Sequence, residues 1–307
     1  MLIPIFLGVT LILFALLYML VGSSIRHMPS YGGGDALDSF FAYLNAGNSF
    51  ITRYIRYCYN ILTKFDFGRS GYTKLYVTFE LRYRIRNTLL LLLSGVGATL
   101  IVGIPAGVYA AVHKDGKRDR IINIITMFFS SIPSYSIAIV IVLLLAVYWR
   151  LLPVISSYNS PQAFIMPTLT VSIGGIASVI RMTRTSMLEE LEKPYITALR
   201  AKGLKENSVV YRHALKNAMV PIVSTISTLI SQLLFGTIVV EYFFNVPGIG
   251  TLMLRGVEMR DDTSILGCAV VLAVFITILN IVTDVLYMNV NPQIKVRYST
   301  LRGRTAA

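Results

Sequence analysis

Long apolar runs decide what this chain can fold into. A helix needs about 20 residues to cross roughly 30 Å of hydrocarbon. Runs of about that length recur: Leu2–Val21, Thr88–Val112, Ile121–Tyr148, Met166–Met182, Ala218–Val240 and Ile265–Met288. Backbone in lipid must satisfy its own hydrogen bonds, which leaves helices or closed barrels. Alternating segments of the kind that build barrels are not visible. The expected class is therefore all-α, a polytopic membrane protein with about six transmembrane helices. Composition agrees: mean hydropathy is +0.66, with 55% hydrophobic and only 14% charged residues.

Leu2–Val21 lacks the positive leading segment of a signal peptide and is longer than the usual apolar stretch of one, so it reads as a retained helix. A net charge of +13 would suggest nucleic acid for a soluble protein; here the excess of Lys and Arg in cytoplasmic loops accounts for it, with membrane lipid as the neighbour. Cys58 and Cys268 make no disulfide framework, and His27, His113 and His213 have no metal-ligand spacing. No catalytic constellation is present, and no G-x-x-x-x-G-K-[S/T] loop exists to cradle ATP.

Charge sets the orientation. His113–Arg120 carries four Lys/Arg, Thr183–Asn217 seven and the tail Asn291–Ala307 four, against one and two in the short loops around Arg150 and around Arg255 and Arg260. Both termini and the two basic loops are thus expected inside the cell. The first loop, Gly22–Asn87, carries nine Lys/Arg yet falls outside; it exceeds the length over which the rule operates, about 60 residues. Its Arg82-Tyr83-Arg84-Ile85-Arg86 stretch reads as an interfacial segment or a docking surface. The organisation expected is residues 1–87, one helix plus a long external loop; 88–290, a helical membrane domain with a cytoplasmic loop at 183–217; and 291–307, a basic tail.

Glu189–Pro221 is a polar, basic island between apolar segments. Pro194 suits a first helical turn, Tyr195–Lys202 holds good helix formers, and Tyr195 and Leu199 share a face. Gly203 can take the left-handed conformation that ends a helix. Asn207 or Ser208 can cap a second short helix, and Pro221 would start the next membrane segment. Ala198, Ala201 and Gly203 permit close approach by a partner, while Arg200, Lys202 and Lys205 can meet acidic groups. The bland alternative is an amphipathic loop on anionic headgroups.

This island resembles the coupling loop of the oligopeptide/dipeptide/nickel permease family of binding-protein-dependent ABC importers. The resemblance rests on Arg200-Ala201-Lys202-Gly203-Leu204, Arg212-His213-Ala214-Leu215-Lys216-Asn217-Ala218 and Pro221. It extends to Phe65-Asp66-Phe67-Gly68-Arg69-Ser70, Asn87-Thr88-Leu89, Gly103–Gly107, Ser131-Ile132-Pro133-Ser134, Glu241–Gly250, Asp284–Tyr287 and Asn291-Pro292-Gln293-Ile294. Where the wider pattern begins Glu-Ala-Ala, this chain has Thr197-Ala198-Leu199. Its Met28-Pro29-Ser30 is only an echo of the family's turn after the first helix. The resemblance implies a type I ABC importer permease architecture and an ATPase-docking role for Thr197, Ala198, Leu199, Ala201, Gly203 and Leu204. It further implies a second homologous permease subunit, two ATPase subunits that use ATP and Mg, and an extracytoplasmic substrate-binding protein delivering a peptide or similar small solute. No cofactor would be bound by this chain itself.

Several residues inside the apolar runs draw notice. Pro105 and Pro133 interrupt the second and third; with Ser130, Ser131, Ser134 and Ser136, Pro133 reads as a kink healed by hydroxyls or as a gate or path lining, and Asn280 joins the path candidates. Gly103 and Gly107 read as helix packing. Asp284 reads as a structural charge, near enough to the inner end for Arg181, Arg184 or headgroups; the rival function is an ion-coupled secondary transporter with Asp284 as its site. Glu189, Glu190 and Glu192 read as a solvated face.

Overall fold

The structure is a computed structural model and describes residues 8, 10–12, 14–16, 50–153 and 160–290, without the side chains of 50–53, 56, 284 and 286–290. Most of Leu2–Val21, residues 22–49, the tail Asn291–Ala307 and the Asp284 side chain lie outside that set. Helix is the regular structure among the described residues: α1 Phe50–Lys64, α2 Val77–Val112, α3 Lys117–Ser131, α4 Ser134–Ile141, α5 Ile165–Leu191, α6 Pro194–Ala201, α7 Leu215–Phe243, α8 Ile249–Glu258 and α9 Asp262–Val290. A π-helical segment, Val142–Tyr148, prolongs α4, and another, Ser208–Ala214, leads into α7.

Val77–Val112, Pro161–Leu191, Ser208–Phe243 and Asp262–Thr283 are long and apolar enough to cross a membrane. The α3–α4 pair adds a fifth span if its 106° bend is counted within one crossing. The single span expected over Ile121–Tyr148, interrupted at Pro133, is built as two helices that meet at that proline. Proline pushes its preceding residue out of the helical region, and Ile132 is indeed extended at φ −94°, ψ 128°. Pro105 and Pro221 instead lie within α2 and α7, so Pro105 interrupts nothing and Pro221 starts nothing. Neighbouring helices make such interior prolines tolerable.

The helices also outrun the apolar runs that announced them. α2 starts at Val77 rather than Thr88, which makes Arg82–Arg86 helical rather than loop. Its 36 residues reach about 54 Å at 1.5 Å per residue, well beyond the hydrocarbon. Hydropathy marks the buried length of a helix, not its ends.

Packing gathers residues 1–90 with 241–278 into one compact unit and 91–240 with 279–307 into another. In the first, sequence motifs far apart along the chain become one structure. Ser70 Oγ and the Gly71 amide donate to the Asp261 carboxylate at 2.5 and 3.0 Å. Asn87 Nδ2 donates to the Pro247 carbonyl at 3.0 Å, and the Ile249 amide to Thr88 Oγ1 at 2.9 Å. Buried Glu241 accepts from the amides of Gly250 and Thr251 at 2.7 and 3.3 Å, capping α8. A side chain at position 248 would stand 2.2 Å from Glu241 Oε2, which explains the glycine there. The helix so capped runs ten residues.

In the second unit α2 and α5 pack at close range. A Cβ at Gly103 would lie 2.8 Å from Val179 Cγ1, and one at Gly107 would lie 2.6 Å from Thr183 Cβ. The paired glycines serve helix packing, as their spacing suggested.

Candidate functional site

α6 is the centre of the elbow. Pro194 opens it, after Lys193 in extended conformation. It closes in a Schellman motif: the Gly203 amide bonds the Arg200 carbonyl at 2.9 Å and the Leu204 amide bonds the Leu199 carbonyl at 3.4 Å. Gly203 has φ +79°, the left-handed region that favours glycine.

The helix has an inner and an outer face. Ile196 is fully buried among Val108 and Ala111 of α2, Met187 of α5 and Val209, Val210 and Ile222 beyond the elbow. Tyr195, Leu199 and Leu204 pack against the same cluster. Thr197, Ala198, Ala201 and Gly203 face outward and are exposed. The residues singled out from the sequence thus divide: Leu199 and Leu204 seat the helix, and the four small ones form its free surface. Ile196 was missed, although its place one turn before Leu199 is an apolar-face signal.

Polar bonds fix the elbow at both ends. Glu190, at the end of α5, is buried; its Oε1 accepts from Tyr195 OH at 2.7 Å, and its other oxygen is paired with Lys193. Tyr195 OH in turn accepts from Asn217 Nδ2 of α7 at 3.0 Å. Burial, and next the bond to Glu190, push the Tyr195 phenol above its usual range, so it stays a donor. The acidic cluster is therefore not one solvated face. Glu189 is exposed, Glu192 forms a surface pair with Lys114 at 2.7 Å, and Glu190 is an interior hub.

Beyond Gly203 the chain re-enters helix at Glu206, not at a cap formed by Asn207 or Ser208: Asn207 is already helical at φ −58°, ψ −37°. That second arm is not a separate short helix. It continues through the π segment into α7. Arg200 forks onto Glu206 across the elbow, Nε to Oε2 at 3.1 Å and Nη2 to Oε1 at 2.6 Å. The guanidinium holds the Glu206 carboxyl below its ordinary range. Arg200 is thus committed within the chain, and Lys202 and Lys205 carry the exposed positive charge. Arg184, a candidate neighbour for Asp284, instead grips buried Asp119 of α3 with two bonds at 2.5 and 2.6 Å.

Deeper along the same unit, Ser134 at the start of α4 lines a cavity of about 260 Å³ with Ser130, Thr170, Ser178, Arg181 and Gln232. Ser131 turns away and donates to the Met127 carbonyl at 2.9 Å, while Ser130 donates to Thr126 O at 2.7 Å. Those bonds finish α3 but leave the break at Pro133 open. Asn280 of α9 accepts from Ser231 Oγ at 2.9 Å in a groove that shares Gln232 with the cavity. Ser134 and Asn280 therefore both line hollows on α7.

A membrane bundle that combines a braced helical elbow with polar hollows among its spans has the build of a transport subunit. Comparison with known proteins supplies the family. Residues 103–296 match the model of the binding-protein-dependent transport system inner membrane component, and the chain belongs to that family. It is 35% identical over 230 residues to the glutathione transport system permease protein GsiC of Escherichia coli (strain K12), covering 75% of each chain. It is 30% identical over 302 residues to the dipeptide transport system permease protein DppB of Bacillus subtilis (strain 168), covering 94% of this chain and 92% of that one. An inward-facing structure of the MetNI methionine ABC transporter shares the fold, with a TM-score of 0.61, 18% identity, 69% of this chain covered and 97% of the matched one. Membership of this family sets aside the ion-coupled carrier built on Asp284.

Proposed function

We propose that this chain is the permease subunit of an ATP-driven importer of peptides or a similar small solute, and that its elbow receives the ATPase. An extracytoplasmic binding protein delivers the solute, a second homologous permease completes the pathway, and two ATPase subunits hold ATP and Mg. Both termini and the elbow lie on the cytoplasmic side. The solute passes the Pro133 break, Ser134 and the Ser231–Asn280 groove, with Asp284 a structural charge of α9. The observation that carries the reading is the outer face of α6: Thr197, Ala198 and Ala201 stand exposed on a helix whose inner face is locked into the core, with Gly203 exposed just past its end. Small side chains let a partner surface approach closely, and a seated helix passes on a push rather than yielding to it. The dipeptide and glutathione systems named above motivate the solute class.

Uptake in proteoliposomes tests the proposal. The assembled transporter, with its binding protein and a panel of labelled di- and tripeptides, is expected to accumulate peptide only when ATP is supplied, and to continue when ionophores collapse ion gradients. Gradient-driven uptake without ATP would contradict it.

A further inference from the structure

We infer that Glu190 is the positioning residue that makes the elbow and the cavity walls move as one body, acting through Tyr195 and Asn217. This rests on the docking role proposed for α6. A push on α6 is useful only if it reaches the helices that line the solute path. α6 is eight residues long, too short to hold an orientation by its own hydrogen bonds. Its inner face is seated in the apolar core, and its first turn is further tied to α5 and α7 by a three-element chain of bonds. Glu190 at the end of α5 accepts from Tyr195 of α6 at 2.7 Å, and Tyr195 accepts from Asn217 of α7 at 3.0 Å.

The two helices so joined carry the cavity. Ser178 and Arg181 project from α5, and Gln232 from α7. Ser178 lies about 18 Å along α5 from Glu190, and Gln232 about 22 Å along α7 from Asn217, at 1.5 Å per residue. Continuous helix therefore connects the clamp to the cavity wall on both sides. Glu190 is 6% exposed, and a buried carboxylate keeps its place only while its hydrogen bonds are made. Lys193, half exposed, balances the charge at the edge and is not itself a link to another helix.

The test compares Tyr195→Phe, Glu190→Ala and Glu190→Gln in the complete transporter, reading ATPase capture, ATPase rate and peptide taken up per ATP hydrolysed. Phe keeps the ring of Tyr195 in its apolar seat while removing the link. Gln keeps an acceptor for Tyr195, so it is the conservative rescue. Tyr195→Phe and Glu190→Ala are expected to capture and hydrolyse as wild type does, with uptake per ATP lowered about tenfold. Glu190→Gln should retain most of the wild-type ratio. The double variant Tyr195→Phe/Glu190→Ala should be no worse than either single one, as for two groups in one linkage. The inference is overturned if the ratio is unchanged in both single variants, if capture and uptake fall together, or if Glu190→Gln is as damaging as Glu190→Ala. A wild-type complex that captures no ATPase would instead sink the docking role itself, and the clamp with it.

Discussion

Gly203 shows how much a single backbone angle can carry. Its φ of +79° closes α6, yet a Cβ there would meet nothing within 4 Å. Substitution is therefore a matter of backbone strain alone. Gly203→Ala is expected to lower stability by about 1–2 kcal/mol, and Gly203→Asn by less, because asparagine enters the left-handed region more readily. Thermal unfolding of the purified complex would show that order, and a reversed order would refute the strain account. Glu206 bears on pH. Arg200 depresses its carboxyl in the folded state, so the pair contributes stability above the unfolded value, about 4.3, and loses it as pH falls through the folded one. Both groups are half exposed, which limits the effect to about 1 kcal/mol or less. Glu206→Gln should accordingly lower stability in the neutral region by about that amount or less, leave the low-pH end unchanged, and so flatten the acid limb of the stability profile. The chemistry of Pro194 and Gly203 was legible from sequence because caps are local. The burial of Glu190 was not, since it depends on Tyr195 and Asn217 arriving from two other elements.

At the scale of elements, α2 and α5 meet in a tight seam of the second unit. A Cβ at Gly107 would stand 2.8 Å from the Ile180 carbonyl oxygen as well as 2.6 Å from Thr183 Cβ, and backbone cannot step aside. Gly107→Val should cost about 1–3 kcal/mol or more through overpacking. Gly97→Ala on the same helix meets nothing within 4 Å and should be neutral or stabilising by up to about 1 kcal/mol. Denaturation in detergent distinguishes the two; equal effects would argue against a tight seam. The glycine pair could be read in the sequence because spacing alone places both on one face. The ends of α2 and α5 could not, because an apolar run reports lipid contact while the helix continues into water on capping and packing. The broken α3–α4 span lay between: Pro133 announced a disturbance, but whether it bends or breaks depends on Ile132 being free to extend.

For the whole molecule, fold class was the most legible feature, since only helices can serve runs this apolar. The order of motifs was next, and the structure explains it. In the first unit Asn87–Leu89 and Glu241–Gly250 are bonded to each other, and Phe65–Ser70 is bonded to Asp261 just beyond α8. The elbow belongs to the other unit and is the proposed point of energy entry. The most direct measurement is co-purification of the proposed ATPase and permease partners with Ala198→Glu. Ala198 is exposed and outside the buried cluster, so the variant should fold and keep the proposed second permease. The account expects it to lose the ATPase subunits while wild type retains them. A full set of subunits on the variant, with uptake unimpaired, would contradict it.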